Sequence, residues 1–310
     1  MNKDMGITVA GITGLTGTAA DRLNNPFSLA IDYDNTLYIT DYGCHRVQSW
    51  LRGASNGSTI AGQKNCTAGG SLNQFNLPTG IIVDSNSNLY IADSQNSRIL
   101  FWPRNGTSGR IVAGNGTAGT TNNALSLTYG ISRDSNSDTL YVADYYNHRI
   151  MSYMSNATFG TVVAGGNGGG TNYTQLYYPT SIYFEALSNS LIIDNYAANN
   201  IVRWTIGDSK WTLLAGSINS SPGTTSTLLN SPVGITLDPM GNMYVADAGN
   251  HRIQFYPSNQ SIASTIAGVT NSQGSNATHL SAPYGLALDS QLNLYVADTS
   301  NNRIQKFVRY

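Results

Sequence analysis

From Pro232 to Phe255 the chain carries three short apolar runs separated by polar turns. The first ends at Asp238, the second at Asp247 and the third opens at Arg252, with Pro239-Met240-Gly241-Asn242 and Ala248-Gly249-Asn250-His251 between them. Runs of this length, bounded by Gly, Pro, Asn and Asp, predict a three-stranded antiparallel meander. Such a unit is apolar on both faces and cannot bury itself, so it predicts copies stacked on one another. Aligned on the aspartate that closes the second run, the copies stand at Asp41, Asp93, Asp144, Asp194, Asp247 and Asp298, in steps of 50 to 53 residues. Six units account for nearly the whole chain, and the repeat is the fold.

Each unit follows one plan. A long loop rich in Gly, Thr and Asn leads to Pro-x-Gly or a near variant: Pro26-Phe27-Ser28, Pro78-Thr79-Gly80, Thr128-Tyr129-Gly130, Pro179-Thr180-Ser181, Pro232-Val233-Gly234 and Pro283-Tyr284-Gly285. Three strands follow, then a fourth such as Ile111-Val112-Ala113-Gly114. The sixth unit has no fourth strand after Phe307, but a matching segment, Ile7-Thr8-Val9-Ala10-Gly11, stands near the amino terminus. Pairing the two ends would close a ring and remove the exposed edges of an open stack. The expectation is therefore all-β, a single six-bladed β-propeller of four-stranded blades. The blades fall at about 23–62, 75–114, 125–165, 176–216, 229–268, and 280–310 together with 5–11.

The stretch Gly241 to Phe255, Gly-Asn-Met-Tyr-Val-Ala-Asp-Ala-Gly-Asn-His-Arg-Ile-Gln-Phe, resembles the NHL repeat, named for its Asn-His-Leu signature. Unit five matches that pattern almost completely. Units two, three and six match well, and unit one has Cys44 in the Asn position. Unit four departs, with Glu185 for the first Asp, a hairpin longer by one residue, and Asn200 in place of Arg. The resemblance implies the six-bladed propeller. It also points to the peptidyl-hydroxyglycine amidating lyase, an NHL-type enzyme whose zinc histidines stand in the middle of the Pro-x-Gly motif, lining the channel. Here those positions hold Phe27, Thr79, Tyr129, Thr180, Val233 and Tyr284, so the scaffold carries over and the lyase site does not.

Other candidate chemistry follows the repeat. An acid with an arginine five residues on recurs as Asp41/Arg46, Asp93/Arg98, Asp144/Arg149, Asp247/Arg252 and Asp298/Arg303. That spacing sets the pair at the two feet of one hairpin, within reach of a charge-assisted hydrogen bond. A pair repeated in five blades reads as a structural clamp, because an active site would break the symmetry. His45, His148 and His251 sit in the same hairpin of alternate blades. A zinc site needs bonds of about 2 Å, and a hairpin lying away from the channel axis would keep these histidines too far apart. Gly165-Gly166-Asn167-Gly168-Gly169-Gly170 joins two strands and reads as a flexible loop rather than a phosphate cradle. Neither a metal nor a cofactor is expected. Cys44 and Cys66, the only cysteines, lie in two connections that share one face of blade one, which allows a disulfide or two free thiols. The sequons favour the disulfide. Sequons stand at Asn56, Asn65, Asn105, Asn115, Asn156, Asn172, Asn219, Asn259 and Asn276, all between predicted strands.

Composition narrows the function. Charged residues are 11% and the net charge is −1, which disfavours a protein that tracks nucleic-acid phosphates. No apolar run approaches the roughly 18 residues of a membrane span. The opening Met-Asn-Lys-Asp-Met-Gly has no apolar core of a signal peptide, so the sequons lead to the expectation of a secreted chain whose signal peptide is absent from this sequence. The main asymmetry is aromatic. The long-loop face carries Phe27, Tyr42, Tyr129, Tyr145, Tyr146, Tyr173, Tyr177, Tyr178, Tyr196 and Tyr284, six of them from blade three, blade four and the loop between. Tyrosine offers contact area and a hydroxyl at low entropic cost, although some of these rings are expected simply to pack between blades. The reading is a non-enzymatic, monomeric, secreted binding or scaffold propeller that recognises a protein, peptide or glycan on this face. The alternatives are a metal-dependent propeller enzyme, and the NHL module of a tripartite-motif-type ubiquitin ligase or RNA-binding protein.

Overall fold

The computed structural model describes residues 5–309; the opening Met1 to Asp4 and the expected end of blade six at Tyr310 lie outside the described residues. Six four-stranded antiparallel sheets stand in a ring, and five of them are meanders in chain order from the axis outward. Blade one is typical, with strands Pro26–Ile31, Leu37–Asp41, Arg46–Trp50 and Ser58–Gly62. Blade six takes Pro283–Leu288, Leu294–Asp298 and Arg303–Phe307 from the carboxyl end and its outer strand, Ile7–Gly11, from the amino end. The closing register pairs Ile7 with Lys306 and Gly11 with Arg303, so the ring closes as its sequence implies.

The core lies between blades. One cluster joins Val47 of blade one to Ile91 and Leu100 of blade two, and similar clusters continue around the ring. The last unites Ala10, Ala297 and Ile304 of blade six with Leu29 and Ile39 of blade one. Each sheet buries its faces only against its neighbours, which is the physical reason for the repetition. At the axis the fit is tight. A Cβ at Gly80, Gly130 or Gly234 would collide with a backbone oxygen of the next inner strand, so this glycine is a packing requirement where it occurs.

Blade four corrects the sequence alignment. Its second strand is Ser190–Asn195, and Asn195 pairs with Asn200 where other blades pair Asp41 with Arg46, Asp93 with Arg98 or Asp144 with Arg149. The residue in the clamp position is therefore Asn195, and its hairpin has the ordinary length. Asp194 lies one place earlier. A shift of one residue along a strand turns a side chain to the opposite face, so Asp194 occupies a different environment from the five clamp aspartates.

Candidate ligand-binding mouth

The hairpins joining second and third strands rim one end of the channel. In five blades an arginine Nε donates to the aspartate at 2.7 to 2.8 Å: Arg46 to Asp41, Arg98 to Asp93, Arg149 to Asp144, Arg252 to Asp247 and Arg303 to Asp298. All ten side chains are buried. The other carboxylate oxygen accepts a backbone N–H just ahead of the inner strand, such as Asn76 N in blade two at 2.7 Å. The guanidinium then donates to the long loop. Arg98 reaches the carbonyls of Gly70, Ser71 and Gln74, and Arg149 those of Thr120, Thr121 and Ala124. The clamp thus ties hairpin, inner strand and long loop together, and all three nitrogens of these guanidinium groups donate within it. Burial raises the Asp93, Asp144, Asp247 and Asp298 carboxyls and pushes Asp41 up to about 6, while the surrounding N–H donors and the arginine oppose that rise.

The histidines link neighbouring blades. Nδ1 of His45, His148 and His251 accepts the backbone N–H of Leu77, Tyr178 and Ala282 on the next blade at 3.0 to 3.1 Å. Asn199 and Asn302 do the same through Oδ1 to Ser231 and Asn25. All five acceptors are left-handed, with φ between 51° and 58°, and so are the donor residues. Two left-handed residues meeting at each blade junction is a signal that residue type alone conveyed weakly. The hairpin is not remote from the axis as expected, since Tyr42, Tyr145 and Tyr196 line the channel mouth. Each histidine is instead committed to its own junction. Burial lowers the His45 and His148 imidazoles, in keeping with neutral acceptors.

Phe27 is the centre of the mouth. Its ring lies 5.7 Å from Tyr42, 5.4 Å from Tyr129 and 5.1 Å from Tyr284, edge-on to the last two. It lines two cavities, an axial one of about 250 Å³ bounded by the inner-strand glycines, and an outer one of about 260 Å³. The aromatic surface continues outward as Tyr129 stacks on Tyr145 at 4.4 Å and Tyr145 meets Tyr178 at 4.7 Å. Tyr178 stacks on Tyr177, and Tyr146, half-exposed, stands edge-on to both Tyr145 and Tyr178. Nine of the ten expected aromatics therefore gather into one mouth and rim. Tyr173 is the exception, packing on Trp211 at 4.8 Å. Burial raises the phenols of Tyr42, Tyr129 and Tyr284 and pushes Tyr145 up to about 12, so these hydroxyls stay protonated at neutral pH. Among the described residues no charged side chain lines the outer cavity.

Two polar groups in this sector have no partner among the described residues except each other. Asp194 is fully buried, and the only hydroxyl turned toward its carboxyl is that of Thr180 beside it, which is otherwise unpaired. The corresponding residues elsewhere are Thr40, Ala92, Ala143, Ala246 and Ala297. Burial pushes the Asp194 carboxyl well above the usual range; the nearby Asp247 adds to the rise and Thr180 opposes it. Sequence reasoning missed this acid because alignment by residue type placed it among the clamps.

The sequons are all solvent-exposed and lie in loops between strands. Cys44 and Cys66 form a disulfide. Among the described residues no three His, Cys, Asp or Glu side chains converge in a metal-binding group, and no helix is long and apolar enough to cross a membrane.

The NHL repeat family model matches residues 229–256 and 280–307, the cores of blades five and six. Blades five and six carry NHL repeats. The chain is 26% identical to NHL repeat-containing protein 2 of Bos taurus, over 90% of the chain and 46% of that protein. It spans between 25% and 46% of the length of the first curated relatives it matches. Among solved structures, a Bacteroides thetaiotaomicron protein of unknown function superposes with a TM-score of 0.74 at 15% identity, over 98% of this chain and 75% of that one. The nidogen/laminin complex gives 0.59 at 20% identity, over 77% and 79%. The virginiamycin B lyase of Staphylococcus aureus gives 0.58 at 14% identity, over 94% and 97%. Likeness at these identities establishes the shared fold; the fold serves binding proteins and enzymes alike.

Proposed function

We propose that this propeller is a non-enzymatic binding module, acting as a monomer, whose protein, peptide or glycan ligand docks at the tyrosine mouth. The observation that carries this reading is the continuous aromatic surface from Phe27 through Tyr129, Tyr145 and Tyr178 to Tyr177. It lies at the one channel end where the long loops and hairpins converge, and among the described residues no charged side chain lines its outer cavity. Stacked tyrosines are rigid and present both ring faces and hydroxyls, which suits recognition more than bond cleavage. The presence of a nidogen/laminin complex among proteins of this fold supports a macromolecular partner. We further propose that the chain is secreted and glycosylated, a reading supported by nine exposed sequons and a disulfide.

Glycan and peptide arrays probed with the full chain and with the triple variant Tyr145→Ala, Tyr146→Ala, Tyr178→Ala test the site. The variant is expected to keep the fold, by circular dichroism, and lose the ligands that the parent retains. Equal retention by both would refute the assignment. Secretory expression with mass analysis before and after glycosidase tests the location; absence of any glycan would count against it.

A further inference from the structure

The mouth combines three features that general adhesion does not need. Six aromatic rings, those of Phe27, Tyr42, Tyr129, Tyr145, Tyr196 and Tyr284, surround a cavity of about 260 Å³ that no charged side chain among the described residues lines. Such a volume is below the usual range for a drug-sized ligand and suits a compact headgroup. On its wall stands Thr180, 4% exposed, whose hydroxyl has no partner among the described residues other than the acid behind it. That acid is Asp194, wholly buried, with no partner among the described residues except Thr180.

A buried acid partnered by a single hydroxyl is costly, and the fold does not require one, since four other blades manage with alanine at this position. The cost is also concentrated where it is least compensated. Blade four is the blade whose clamp has no guanidinium, Asn195 and Asn200 replacing the ion pair. Asp247, the charged group bearing on Asp194 from blade five, is itself an acid whose charge is met by Arg252. The sector therefore holds latent negative charge behind an aromatic wall, the two elements that attract an organic cation. Aromatic rings bind alkylated ammonium through their π-faces when water is excluded.

We propose that the outer cavity takes a methylated ammonium group, with Asp194 as its buried counter-charge and Thr180 as the polar link between them. This deepens the reading of the mouth as a binding site and rests on it. The headgroup sits among the rings, its positive charge favours the ionised form of Asp194, and the carboxylate accepts a hydrogen bond from Thr180 Oγ1. The released proton passes to solvent, so binding is coupled to loss of a proton and strengthens as pH rises.

Calorimetric titration of the full chain with choline, and with 3,3-dimethylbutan-1-ol, tests this; the alcohol has the same shape with carbon in place of the charged nitrogen. Choline is expected to bind at one site, with the neutral isostere at least about tenfold weaker. Asp194→Asn should weaken choline by a similar factor while leaving the isostere unchanged. Because it removes a buried acid, that variant is expected to fold. Thr180→Val gives an independent readout, weakening choline without altering the isostere. Equal binding of choline and isostere, insensitivity of choline to Asp194→Asn, or no saturable choline binding with Kd below about 10 mM would each overturn the proposal. If choline fails while the triple tyrosine variant still loses its array ligands, the cation chemistry falls and the mouth remains the binding site. If the triple variant loses nothing either, both readings fall together.

Discussion

The blade-four pair provides a natural control for the clamp. Replacing Arg252 by Asn leaves Asp247 wholly buried, with Asn250 Nδ2 and Asn230 N as donors but no cation. It also strands the carbonyls of Thr224, Thr225 and Leu228 that the guanidinium served. Breaking a buried ion pair by removing one partner costs about 3–5 kcal/mol, mostly the penalty of the charge left behind. Asp247→Asn alone, leaving Arg252 buried, belongs in the same range. The double variant recreates the neutral pair that blade four already uses, where Asn195 Nδ2 donates to Asn200 Oδ1 at 3.2 Å and Asn200 Nδ2 to the Ser217 carbonyl at 3.0 Å. Its cost should fall to about 1–2 kcal/mol, the scale of a few weakened neutral hydrogen bonds. Urea midpoints for the four proteins, converted with a common slope, give the coupling directly. The double variant is expected to be more stable than either single one. If its loss equals the sum of the two single losses, stranded charge is not what makes the clamp indispensable. The physical explanation of both the five clamps and the blade-four exception would then be wrong.

Two further outcomes follow from the mouth. The Asp194 carboxyl is raised in the folded state above its ordinary value of 3.8, so the folded chain holds a proton that the unfolded chain releases. The associated stability is fully present below pH 3.8 and is lost as pH rises toward the folded pKa. Asp194→Asn should therefore match the parent in acid and exceed it in thermal stability at neutral pH; a parallel pair of stability–pH curves would contradict the buried acid. Phe27→Ala should join the axial and outer cavities and cost about 3–5 kcal/mol, read as a lowered urea midpoint; an unchanged midpoint would show that Phe27 does not hold the mouth together.

Much of the candidate site was legible in the sequence because the repeat placed it. Once six copies were in phase, Tyr42 and Tyr145 fell at one hairpin position and Phe27, Tyr129 and Tyr284 at one inner-strand position, and symmetry brought both sets to the same end of the ring; Tyr196 joined the hairpin set only when the structure moved the blade-four anchor from Asp194 to Asn195. Tyr173 was misplaced because it lies in a long loop, where phase says nothing about direction; the loop turns it onto Trp211 instead. The histidines themselves do not line the mouth cavity, and among the described residues they form no converging group of ligands. Their hairpin does rim the mouth, and it is the hydrogen bond from the next blade that occupies each ring.

The sequence alone determined the number of blades, the strand order, the closure of blade six by the amino-terminal strand and the partners in each of the five ionic clamps. All of these depend on short-range periodicity and fixed spacing, which a linear chain records completely. Only the tertiary structure decided which residue of blade four stands in the clamp, because Asp194 and Asn195 are interchangeable by type and are separated only by strand register. It likewise decided that Phe27 closes the axis and that Asp194 lies buried behind Thr180. Those are facts about which surfaces meet across blades, and contacts between residues some 50 positions apart are set by ring packing rather than by any local pattern.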